Sequence, residues 1–585
     1  FSYGRRQSLG FVARLHRLLN LAGHDCWFDK VNIPDGDDYQ QRIAYGIASA
    51  HNFVFVMSPR SLVSPHCLVE LEYARLLGKR IVPVNHVETG AATAGEISAA
   101  NRAMLHDFYQ RHQLAEPGVA TCQQVRERVF SIIGHIDWLD AREAMTDKDC
   151  AELLAWAQTY ENDWHRHEHL PFLQKVEIRR FGRAFVTLES VAERLATVLE
   201  REKSYVEDHT RLLLQAQEWA ANQKQNNYLL VGQERKQAED WLLQPFGGDR
   251  RPPCTPSALH CDYICQSRKN AENLMTDVFL CGSTKDQHIR RQVARSLSRY
   301  AVTSWDYERD IRKGEDYEAA IRRGIEEADN FIFFLSPETL ASAWCQREYR
   351  YARELNKRVI PLLLAPASSA LYSEEVFPGL KALQYVDFTN NVKKSDYDRD
   401  IDDLLHILKE ENSYFEEHKK LLAKALKWKH QQERPVFLLR GFNLENARTW
   451  LRIHRNRARY GPLELHRQFI EASAAVKGSL PTEVFISYSR KDSDFARKLN
   501  NALQEAGKTT WFDQESIATG ADFQAELYKG IESADNFLFI ISPDAVRSPY
   551  CKDEVAFAAE QGKRCFSVLH RTAPAKEMPP ELAGI

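Results

Sequence analysis

No run of eighteen apolar residues occurs in the 585-residue chain, so no segment reads as a transmembrane helix. Net charge is only −3, which excludes the broad basic field that nucleic-acid binding draws on. The eleven cysteines are scattered. That argues for buried free thiols in a cytoplasmic protein and against a disulfide framework. Cys261 and Cys265 stand one helical turn apart, near Cys254, but no second ligand pair follows, so no metal is expected. The chain also lacks an opening Met, begins inside the strand-like Phe1-Ser2-Tyr3 and stops at Ile585. It reads as a piece of a longer protein. Length alone allows roughly three to five domains.

What the chain does have is repetition. NFVFVMSP at 52–59 recurs as NFIFFLSP at 330–337 and NFLFIISP at 536–543. Each is followed by a Ser and then Cys-x-x-Glu: Ser64, Cys67 and Glu70, then Ser342, Cys345 and Glu348, then Ser548, Cys551 and Glu554. The spacing within each copy is constant, so the chain is an array of one domain type.

Each copy has the grammar of a parallel α/β unit. The NFxFxxSP run is continuously apolar, as for a strand buried on both faces. Ser-Pro ends it and opens a helix. Gly78, Asn356 and Gly562 stand where a left-handed C-cap belongs. RIVPV, RVIPLLL and RCFSVL then start a further strand, implying a right-handed βαβ crossover. Upstream, VFISYS at 484–489 predicts a first strand, with a helix ending at Gly507 and then TTWFD. Copy one matches with FSYGRRQ and Trp27-Phe28-Asp29, copy two with VFLCGSTKD and Trp305.

These residues resemble the Toll/interleukin-1 receptor (TIR) domain family. FISYSRKD at 485–492, WFD at 511–513 with the Gly520 loop, SADNFLFIISP and Ser548 to Glu554 carry the resemblance. It implies three flavodoxin-like α/β domains with five-strand parallel sheets, joined by mainly α-helical connectors. The expected division is domain one at 1–87 with its closing helix near 186–203, and a mainly helical insertion at 88–183. A connector follows at 204–274, a divergent domain two at 275–412, a second connector at 413–481, and domain three at 482–585 without its closing helix. The two connectors repeat one another, with Trp219 and Trp428, and Trp241 and Trp450, in matching places. They read as rigid spacers ahead of ligand-binding elements.

The resemblance also implies chemistry. Many family members cleave NAD between nicotinamide and ribose, with a Glu at the repeated position and no separate cofactor. Glu554, Glu70 and Glu348 are therefore the catalytic candidates. The corresponding binding positions are Tyr488, Arg490, Trp511, Asp513, Glu515, Phe523, Ser542 and Cys551 in copy three, and Tyr3, Arg5, Trp27, Asp29 and Ser58 in copy one. The plainer reading of such a Glu is that it complements a helix dipole.

Copy two has Cys281-Gly282-Ser283 in place of Ser-Tyr-Ser, and Tyr307 in place of Asp513. It is expected to be an inactive scaffold. Copy three, which keeps the fullest set, leads the active candidates. Family members associate through neighbouring TIR domains, so TIR–TIR assembly, a homo-oligomer and a bacterial antiphage setting are implied. The competing reading is a non-enzymatic scaffold that recruits other TIR domains. A third is nucleotide binding without turnover.

Overall fold

A computed structural model describes residues 1–32, 39–90, 95–142, 182–246, 252–311, 314–365, 373–391, 393–476, 482–516 and 523–582. These residues form two compact units. One comprises Phe1–Glu218 and Gln244–His260, the other Trp219–Leu243 and Cys261–Ile585. The first holds copy one, the second copies two and three. No helix among the described residues is long and apolar enough to cross a membrane.

Every sheet is parallel. The second copy contains strands β5 (Thr276–Cys281), β6 (Ser304–Trp305), β7 (Ala328–Leu335), β8 (Arg358–Leu363) and β9 (Val386–Asp387). They lie in the order β6-β5-β7-β8-β9. This is the doubly wound order 2-1-3-4-5 of the flavodoxin-like fold. The third copy repeats it with β10 (Thr482–Ser487), β11 (Thr510–Trp511), β12 (Ala534–Ile541) and β13 (Arg564–Leu569) in the order β11-β10-β12-β13. In the first copy, β1 (Ser2–Tyr3), β2 (Asn52–Met57), β3 (Arg80–Asn85) and β4 (Leu139–Asp140) run side by side. Where the other copies have β6 and β11, the Phe1 amino group donates to the Trp27 carbonyl at 3.1 Å.

The apolar runs are continuous because both sheet faces are covered. In β2, Val54 and Val56 pack with helices 5–21 and 182–200, through Phe11, Leu15, Val191 and Leu195. Phe53, Phe55 and Met57 pack on the other side against Leu68, Leu71 and Ala74 of helix 65–76. Helix C-caps fall where expected: φ is 71° at Gly78, 54° at Asn356 and 62° at Gly562. In copy three, by contrast, Phe566 is 39% and Leu569 66% exposed.

One boundary changes. The stretch 88–183 does not stand wholly apart from domain one. Helices 99–111 and 122–133 bury Leu105, Phe108, Val125 and Val129 in the same core as β2. Leu139–Asp140 then pairs with Val84–Asn85 as the last strand of the sheet. Copy two reaches its equivalent strand β9 through a shorter segment. Residues 143–181, with Trp156 and Trp164, lie outside the described residues. The closing helix spans Gly182–Glu200, and a left-handed Glu202 at φ 49° separates it from connector helix 203–221.

Candidate functional site

Ser64 caps helix 65–76, accepting from the Cys67 amide at 3.3 Å, and Ser548 caps helix 549–560 in the same way through Cys551. Pro65 and Pro549 fill the first helical position. This fixes Glu70 and Glu554 in the second turn. Neither helix has an acidic residue in its first turn. The macrodipole's pull fades beyond that turn, so helix complementation does not account for these carboxylates.

Their neighbour Glu72 shows what a structural carboxylate looks like here. Burial alone would raise its pKa, but Arg128 at 2.6 Å and Arg75 at 2.9 Å, joined by Tyr109, hold it below the usual range. Among the described residues Glu70 has no such ion pair, and burial, offset only in part by the charges of the Phe1 amino group and Arg5, pushes it up to about 7. Burial likewise pushes Glu554 up to about 8. Ser2 and Ser487 at the strand ends draw the two partly back. Among the described residues neither buried Oγ has a partner in full hydrogen-bond geometry.

The loop after the first strand is braced by one aspartate. Asp29 accepts from the Tyr3 hydroxyl at 2.7 Å and from Arg5 Nη2 at 2.6 Å. In copy three Tyr488 donates to Asp513, and Arg490 Nη2 lies 3.4 Å from the same carboxylate. The Arg490 guanidinium also stands 4.9 Å from the Phe523 ring.

Copy one gathers these parts around a single cavity of about 430 Å³, lined by Tyr3, Arg5, Trp27, Asp29, Cys67 and Glu70 among others. That size suits a small molecule. In copy three Arg490, Trp511, Asp513 and Phe523 line a larger cleft, shared with connector residues such as Asn226 and Lys427, and Glu554 stands close enough to Asp513 and Arg490 for their charges to act on it. The connector also grips the adjoining helix. Ser493 donates to Asn270 Oδ1 at 2.9 Å, and Arg497 Nε to Asn273 Oδ1 at 2.6 Å.

Copy two closes its own site. The Tyr307 hydroxyl donates to Glu348 Oε2 at 2.6 Å. Glu348 is 5% exposed, and its pKa is raised, chiefly by burial.

Three further assignments change. Ser58 and Ser542 are fully buried. Ser58 caps helix 59–62 and exchanges hydrogen bonds with Ser61, while Ser542 caps helix 543–547 and donates to Asp492. Both are structural. Cys551 is 3% exposed with burial pushing its thiol up to about 12, so it is an inert core thiol. The Glu515 side chain, with Gly36 and Gly520, lies outside the described residues.

One feature escaped the sequence reading. Gly46, Gly324 and Gly530 sit in mid-helix, where a Cβ would come within 2.6, 2.5 and 2.5 Å of Trp27, Trp305 and Trp511 respectively. Each glycine lets the indole lie flat on its helix. The recurrence of a helical Gly ahead of every NFxFxxSP run was the available signal.

The sheet is open and parallel, and in copy one a carboxylate, a Tyr-x-Arg loop and an indole line one cavity, in the α/β arrangement whose strand ends commonly face a ligand crevice. A TIR-domain family model matches residues 1–116, 278–405 and 484–585. The chain belongs to the TIR-domain family. It is similar to a curated protein of Methanobrevibacter olleyae named "Probable 2' cyclic ADP-D-ribose synthase TcpO", at 26% identity over 92 residues. The match spans 15% of this chain and only 27% of that relative's length. Among solved structures, the TIR domain of the Toll-related receptor TRR-2 from Hydra magnipapillata matches at 18% identity, with a TM-score of 0.20. That match covers 23% of this chain and 98% of the Hydra chain.

Proposed function

We propose that this protein is a TIR-domain signalling effector that cleaves NAD at the nicotinamide–ribose bond, with copy one as the working site. The observation that carries the proposal is the convergence of Glu70, the Tyr3–Arg5 loop and Trp27 on one cavity. The name of the Methanobrevibacter relative supports it, because forming a cyclic ADP-ribose from NAD requires loss of nicotinamide.

In the proposed step the C1′–N bond breaks and nicotinamide leaves with the bonding pair. Positive charge develops on the ribose. The Glu70 carboxylate stabilises that charge or holds a ribose hydroxyl. Water or a ribose hydroxyl then captures C1′ and loses its proton, giving ADP-ribose or a cyclic form. Arg5, whose side chain is 49% exposed, offers charge to the diphosphate, and Trp27 a face for an aromatic ring. NAD is substrate, and no separate cofactor is needed. Assembly with other TIR domains, within the chain or between chains, would complete the site. Tethered copies raise the local concentration for that contact. A cytoplasmic, antiphage-type role follows from the same reading.

Only the ionised carboxylate can act in this way. Because burial lifts Glu70 to about 7, kcat/KM for nicotinamide release should climb with pH and level off above about pH 8. A profile flat from about pH 6 to pH 8 would remove Glu70 from the charge-stabilising role.

The scaffold reading holds best for copy two, on the evidence of Tyr307 lying on Glu348. If no copy releases nicotinamide at any protein concentration or under crowding, and NAD does not bind, recruitment of other TIR domains becomes the function of the whole chain.

A further inference from the structure

Copy two keeps the position of the site and replaces its chemistry. The strand register makes Cys281 the counterpart of Ser2 and Ser487, since each pairs with the equivalent Phe: Phe333, Phe55 and Phe539. Only here does a second sulfur enter. The Sγ atoms of Cys281 and Cys345 and a carboxylate oxygen of Glu348 lie within 4.8 Å of one another. All three residues are buried.

We propose that Cys281, Cys345 and Glu348 form a structural site for one thiophilic divalent cation of the zinc type. The span suits it: about 2.3 Å to sulfur and about 2.0–2.2 Å to oxygen in a tetrahedron sets neighbouring ligands under 4 Å apart. The ligands come from rigid elements, the end of β5 and the start of helix 343–354, where Ser342 Oγ accepts from the Cys345 amide at 3.4 Å. The Tyr307 hydroxyl donates to Glu348 Oε2 at 2.6 Å, the task an outer partner performs for a metal ligand. The fourth position falls to water. Charge also fits. Two thiolates and a carboxylate carry three negative charges, met by the cation and by Arg290. The Arg290 guanidinium lies 4.9 Å from the Tyr307 ring and donates to the Gly282 carbonyl at 2.8 Å. Calcium and magnesium are disfavoured, because they need more oxygen ligands than converge here. With Ser2 and Ser487 in place of Cys281, copies one and three have a single thiol at this position, Cys67 and Cys551, so the site is specific to the divergent copy.

The test uses the full chain, loaded with zinc, passed through gel filtration and assayed for bound metal. One zinc per chain is expected. Cys281→Ser, which installs the residue the other copies carry at this register and so suits the fold, should lose it, as should Cys345→Ser. Cobalt(II) should give a thiolate charge-transfer band in the unaltered chain and none in Cys281→Ser. Failure to retain zinc, equal retention by Cys281→Ser, or a Cys281–Cys345 disulfide in the unreduced protein would each overturn the proposal.

Discussion

Glu70→Ala is expected to lower nicotinamide release from NAD by about 100- to 1000-fold, the usual loss when one preorganised charge-stabilising group is removed. Glu70→Gln, which keeps the volume, should fall as far, because the lost quantity is charge. Glu348→Ala should leave the rate unchanged, since that carboxylate is 5% exposed and already bonded to Tyr307. Glu554→Ala should retain at least about half of the release, because the proposed working site is the copy-one cavity that gathers Glu70 with Tyr3, Arg5 and Trp27. The measurement is initial-rate nicotinamide release for all variants at matched concentration. Loss in Glu554→Ala with Glu70→Ala intact would return the chemistry to copy three. Equal rates in every variant would sink the catalytic assignment altogether.

Gly46→Ala and Gly324→Ala should each destabilise the protein by about 1–3 kcal/mol, the typical penalty for forcing a methyl into a packed core. Alanine ordinarily gains about 1 kcal/mol over glycine within a helix. Here the steric term wins, because the new Cβ meets a rigid indole at 2.6 and 2.5 Å rather than the end of a flexible chain. The two variants should then part company. Gly46→Ala displaces Trp27 from the wall of the copy-one cavity and should raise KM for NAD strongly. Gly324→Ala moves only Trp305, in the copy whose carboxylate is self-occupied, and should leave KM alone. Calorimetry and steady-state kinetics on the pair separate stability from binding. A rise in melting temperature for either variant would show that the indole yields freely.

Much of the architecture was legible before any coordinates. The apolar runs ending in Ser-Pro predicted buried parallel strands, and β2, β7 and β12 are those strands. The left-handed caps at Gly78, Asn356 and Gly562 followed from residue type and position. The last strand of domain one did not, because Leu139–Asp140 is two residues long and carries no periodicity. Its assignment depends wholly on the pairing with Val84–Asn85. Ser58 and Ser542 misled for a different reason. Serine at a strand end serves equally as a helix cap or a ligand contact, and only burial distinguishes the two.

Within the candidate site, the sequence placed three carboxylates at one register but did not show their surroundings. The repeat put Glu70, Glu348 and Glu554 at one register, chemically identical in one dimension. Their differences arise from residues on other elements. Tyr307 reaches Glu348 from the segment after β6, and Ser2 or Cys281 faces the carboxylate from the first strand. Connector residues decide what the copy-three cleft contains.

The sequence by itself determined that this chain is a three-fold array of parallel α/β units of one family, because periodicity and capping are local properties of the backbone. Only the tertiary structure decided that a cavity gathers Glu70 with Tyr3, Arg5 and Trp27, which carboxylate is closed by a tyrosine, and where two thiols meet. Those outcomes depend on distances between residues far apart along the chain, which composition and spacing do not encode.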